Sequence, residues 1–192
     1  VMSYTFSRRA FLKYSAATAV AVVGAGLLNG CEYQDPKNPV CKKLPGAITS
    51  DLQVKAGLRS MKIEGGVCTL MVDIESARAI PIPLDPYRFS VAVKDAKDEP
   101  VYFSGNNGGV RILDAKDPLI QQKKPVTINL AADNFPALDE GQTVVFKYMP
   151  IRENSEFSMT WEITKEVYDA FNESSSGSGS SGASEPDAST TA

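Results

Sequence analysis

The sequence predicts an all-β fold, an antiparallel β-sandwich of about eight strands. Three observations carry this. Apolar and polar residues alternate in six separate runs, and a period of two marks a strand with one buried and one wet face. Short turn-forming clusters separate the runs, as hairpin-connected strands require. Of the 192 residues, 43% are hydrophobic and 22% charged, which suits one compact core.

The elements follow in chain order. Leu52, Val54, Ala56 and Leu58 alternate with polar neighbours and form the first run; Glu64-Gly65-Gly66 then reads as a turn. Cys68, Leu70, Val72 and Ile74 form the second run. Ala79 to Pro86 is an apolar, proline-spaced connector expected to bridge the two sheets. Tyr87, Phe89, Val91 and Val93 point one way and Arg88, Ser90, Ala92 and Lys94 the other. Two shorter strands, Val101 to Phe103 and Val110 to Leu113, flank a glycine-rich turn at Ser104 to Gly109. Val126, Ile128 and Leu130, then Val144, Phe146 and Tyr148, then Phe157, Met159, Trp161 and Ile163 complete the series. Trp161 and Tyr148 are read as core residues. Lys165 to Asn172 adds a short helix with Val167 and Phe171 packed down.

The boundaries read from composition are 51–172 for the sandwich, 31–50 for a proline-containing polar tether, and 173–192 for a disordered Ser/Gly-rich tail. Residues 1–30 form a signal segment. There Ser7-Arg8-Arg9-Ala10-Phe11-Leu12-Lys13 precedes Ala16 to Leu28, 13 residues with Thr18 alone polar among them. A basic stretch before a short apolar one is the physics of an export signal, and the apolar run is shorter than a membrane span requires. The heptapeptide resembles the twin-arginine (Tat) consensus, with Ser7, Arg8, Arg9, Phe11, Leu12 and Lys13 at its defining positions. Leu28-Asn29-Gly30-Cys31 resembles a bacterial lipobox, departing from it at Asn29. That resemblance implies cleavage before Cys31 and lipidation of its thiol, hence anchorage at the outer face of the bacterial cytoplasmic membrane. The alternatives are cleavage elsewhere, with Cys31 free or disulfide-bonded, and an uncleaved anchor.

Three of the 20 basic residues lie in the signal and none of the 23 acidic ones do, so the part from Cys31 onward carries 17 basic and 23 acidic residues, net charge −6. This disfavours nucleic-acid binding. Cys41 and Cys68 form either a disulfide, as an oxidising compartment favours, or no bond, with Cys68 buried as a free thiol. The chain has no histidine, which excludes Ser-His-Asp and Cys-His catalysis and histidine-held metals within it. Asp95, Asp98, Glu99, Asp114 and Asp117 lie in two connectors and are read as a solvated rim rather than a calcium site. No catalytic, cofactor-binding or metal residue is assigned.

The strand pair around Cys68 to Ile74, the Asp85-Pro86-Tyr87-Arg88-Phe89 strand entry and the Glu140-Gly141-Gln142-Thr143 turn resemble the immunoglobulin-like domains of small exported bacterial lipoproteins. The resemblance implies an immunoglobulin-like sandwich at the cell surface and carries over no catalytic residue. The function expected is a lipid-anchored binding or interaction module without catalytic activity, its partner an unspecified protein or cell-envelope component. The alternative is a non-catalytic accessory subunit of a Tat-exported enzyme complex.

Overall fold

The computed structural model describes residues 37–105, 109–114, 119–151 and 157–176. The Tat motif, Cys31, the middle of the glycine-rich turn, Asp117 and the tail from 177 onward lie outside them.

The chain forms an all-β sandwich. Its strands are β1 (Val40–Cys41), β2 (Gly46–Ser50), β3 (Val54–Glu64), β4 (Val67–Ser76), β5 (Ile82–Pro83), β6 (Phe89–Lys94), β7 (Pro100–Gly105), β8 (Val110–Ile112), β9 (Leu119–Ile120), β10 (Val126–Asp133), β11 (Thr143–Tyr148) and β12 (Met159–Thr164). A 3-10 turn, Pro86–Arg88, precedes β6, and helix α1 (Lys165–Ser176) follows β12. One sheet has the order β1-β12-β11-β6-β7 and the other β2-β3-β4-β10-β8, while β5 and β9 form a two-stranded ribbon. β4, β6, β7, β8, β10, β11 and β12 thus take the places of strands B, C, C′, D, E, F and G of an immunoglobulin-like sandwich. β1 runs parallel to the last strand, with Val40 opposite Thr160 and Cys41 opposite Trp161.

The alternating residues fill the space between the sheets as their periodicity predicts. Val54, Ala56 and Leu58 of β3, Leu70, Val72 and Ile74 of β4, and Ile128 and Leu130 of β10 are buried from one side. Phe89, Val91 and Val93 of β6, Val144, Phe146 and Tyr148 of β11, and Met159, Trp161 and Ile163 of β12 meet them from the other. The Trp161 ring lies 5.3 Å from that of Phe146, and its Nε1 donates to the Gly46 carbonyl at 2.9 Å. Gly65 and Gly66, at φ +57° and +76°, make the tight turn between β3 and β4.

Three readings of the sequence are corrected. Residues 40–50 are not tether but β1 and β2, and they place Cys41, Leu44 and Ile48 in the core. β1 is two residues long and pairs with the distant β12, while β2 pairs with the adjacent β3, and their short, mostly small or polar sequences carry no clear periodic signal. The chain is fastened even earlier, because Asn38 Oδ1 accepts from the backbone and hydroxyl of Ser158 at 3.2 and 3.0 Å. Tyr87 and Arg88 exchange faces: Tyr87 is 41% exposed and Arg88 is buried. Asp85 caps the 3-10 turn by accepting from the Tyr87 amide, Pro86 stands at its start, and alternation begins only at Phe89. Finally, α1 continues to Ser176, past the boundary at 172. The 79–86 connector does pack onto the core, through Ile82, but as half of the β5–β9 ribbon.

Candidate functional site

The acidic connectors are occupied with their own turns. The Asp95 carboxylate accepts from the amides of Lys97 and Glu99 at 2.8 and 2.9 Å, and Asp98 pairs with Lys94 at 2.7 Å. The Asp114 carboxylate accepts from the Asn129 backbone amide at 2.8 Å and from its side-chain amide at 2.5 Å. Among the described residues no three His, Cys, Asp or Glu side chains gather as a metal site would need. Across the outer face of the second sheet, Arg59 pairs with Asp73, which also accepts from Thr127 Oγ1 at 2.6 Å. Arg111 and Asp133 form two parallel bonds of 2.7 Å between β8 and β10, and these hold the Asp133 carboxyl below its usual range.

The two cysteines of the described residues stand apart. Cys41 lies on β1 at the edge of one sheet, and Cys68 lies on β4 in the other, opposite Ile63 and Ala132. Cys68 is a free, fully buried thiol, so the Cys41–Cys68 bridge weighed from the sequence is not formed. Burial pushes the Cys68 thiol up to about 12, which makes it inert. Cys41 is disulfide-bonded.

Among the described residues an open groove of about 560 Å³ lies between β3 and α1. It arises from strand register. β2 pairs with β3 from Val54 to Leu58, and the register then shifts between Leu58 and Ser60. Beyond that point no described strand covers the outer edge of β3. Helix α1 stands beside this edge, and Tyr168 Oη accepts from the Ile63 amide at 3.0 Å. Lys62 and Glu64, paired at 2.7 Å, line the groove with Phe171 and Asn172. The helix itself carries a Lys165–Asp169 pair at 2.5 Å, which raises the Lys165 ammonium above its usual value. The sequence marked Phe171 as packed but gave no hint of the groove, since Tyr168 and Ile63 are 105 positions apart. No helix among the described residues is long and apolar enough to cross a membrane.

No protein family matches the chain by sequence, and no curated protein does. Two solved structures share part of its geometry. A candidate lipoprotein of Bacillus subtilis, ycdA, is 15% identical with a TM-score of 0.44, over 68% of this chain and 42% of that one. The yjhA protein of Bacillus subtilis is 13% identical with a TM-score of 0.43, over 64% of this chain and 98% of that one. The chain therefore spans less than half the length of the ycdA structure.

Proposed function

We propose that this chain is exported by the twin-arginine route, anchored through a lipid on Cys31, and presents its sandwich as a non-catalytic binding module at the outer face of the membrane. The observation that carries the reading is the order of features along the chain: Arg8-Arg9, an apolar stretch, Leu28-Asn29-Gly30-Cys31, then a sandwich fastened from Asn38 onward. Seven residue steps separate Cys31 from Asn38, and at about 3.5 Å per step they reach about 25 Å. The sandwich is thereby held close to the bilayer, with a rigid frame behind its loops and groove. The net charge of −6 from Cys31 onward keeps the domain itself off anionic lipid, so the acyl chains supply the attachment.

The test is metabolic labelling with an alkyne fatty acid in a host with a Tat system. The wild type is expected to take label and to partition with membranes. Cys31→Ala is expected to lose the label, and replacing Arg8-Arg9 by Lys-Lys to leave the precursor in the cytoplasm. A thioether and a disulfide cannot share one sulfur, so with three cysteines in the chain and Cys68 free, lipid on Cys31 and the disulfide of Cys41 are alternatives, and alkylation of labelled chain, denatured without reductant, reads which of them it carries. An unlabelled wild type, or label that survives Cys31→Ala, overturns the reading.

A further inference from the structure

Arg88 and Tyr148 sit together at the end of the sandwich where the chain passes from β4 to β6. Arg88 is held by the capped 3-10 turn, and its Nη1 donates to the Pro150 carbonyl at 2.7 Å and the Met149 carbonyl at 3.5 Å. Tyr148 ends β11 opposite Phe89, with the two rings stacked at 5.0 Å. Arg88 is 8% exposed and Tyr148 0%. Two buried polar atoms here have no hydrogen-bond partner among the described residues, Arg88 Nε and Tyr148 Oη. Polar groups removed from water are nearly always satisfied, and a buried guanidinium is costly without an opposing negative charge. Arg88 forms no ion pair with any carboxylate among the described residues. A second cation, Arg78, also acts on the Tyr148 hydroxyl.

The chemistry of the two atoms says what they accept. Both can donate, one from a fixed cation. With Nη1 committed to backbone carbonyls, the Nε edge of the guanidinium remains, and that edge receives a carboxylate side-on. We propose that Arg88 Nε and Tyr148 Oη form a binding site for a small anion of carboxylate or halide type, so that a negatively charged group completes this end of the sandwich.

The experiment is a titration of the full chain, ¹⁵N-labelled and in detergent, with sodium acetate and separately with sodium bromide. The Arg88 Nε–H resonance, assigned by its loss in Arg88→Lys, is expected to move and saturate. The Nε–H of Arg111, exposed and paired with Asp133, reports the general effect of salt. Tyr148→Phe is expected to weaken binding about three- to ten-fold, the worth of one hydrogen bond. Without added anion the same variant is expected to melt above the wild type, because an unpartnered hydroxyl leaves the interior; acetate should narrow that gap. An Arg88 resonance that ignores both salts, or a bromide-soaked crystal with only water at Arg88 Nε, overturns the proposal.

Discussion

Replacing Trp161 by phenylalanine tests how the N-terminal strands are held. Trp161 is fully buried, leans on Phe146 and donates from Nε1 to the carbonyl of Gly46, the first residue of β2. This bond joins the last strand of one sheet to the edge strand of the other. Phenylalanine keeps an aromatic ring in place but deletes the five-membered ring and its N–H. The lost volume, roughly 40 Å³ at about 24 cal/mol per Å³, costs about 1 kcal/mol. A buried carbonyl left without its donor adds about 1–3 kcal/mol. The expected loss is thus about 2–4 kcal/mol, a large share of the stability of an ordinary domain. Trp161 is the only tryptophan, so its fluorescence leaves with it, and urea unfolding should be followed by far-ultraviolet circular dichroism. A loss below about 0.5 kcal/mol, within the range of an ordinary surface substitution, would refute the claim that this bond holds β2 in place.

Two further outcomes are expected. At Gly105 a Cβ would fall 2.4 Å from Ser90 Cβ and 2.9 Å from its Cα, so Gly105→Ala should cost at least about 1–3 kcal/mol by overpacking the β6–β7 pair. Adding Ser90→Gly should recover part of it, and an undiminished urea midpoint for Gly105→Ala would show that the pair yields freely. At Cys68, iodoacetamide at pH 8 should react only as fast as the chain unfolds, because burial keeps the thiol protonated to about pH 12. The unfolded thiol ionises from about pH 9 and the folded one does not, so this residue lowers stability as pH rises between those values, and Cys68→Ala should remove one proton from the pH dependence there. Alkylation of the folded protein at the rate of an open thiol would contradict this.

The strands that bury a full alternating face declared themselves in the sequence, because such a strand reports its own environment. Leu70, Val72 and Ile74 need no partner to be recognised as one face of β4. Val40–Cys41 and Gly46–Ser50 are strands because β12 and β3 offer them an edge, and neither carries enough apolar residues to reveal it. The Tyr87–Arg88 exchange was legible in principle, since Asp85-Pro86 is an N-cap followed by proline. Alternation starts only at Phe89, after the turn. The groove follows from a register shift at Leu58 and from a helix arriving 105 positions later, and no local pattern encodes that meeting. Tyr148 is core, as its place in an alternating run predicts. That its hydroxyl and Arg88 Nε both lack partners among the described residues depends on how segments 60 positions apart pack together.

The parallel pairing of β1 with β12 sets an order in time. Asn38 and Ser158 are 120 positions apart, so this edge closes only after nearly the whole domain has been synthesised. Hairpins such as β3–β4 form early by comparison, since their ends meet across two glycines. A chain drawn out while still growing would leave with β1 unmatched and its first core residue, Cys41, in water. A chain released after folding leaves with that seam already closed. The last strand of the sandwich is therefore the one that fastens the first.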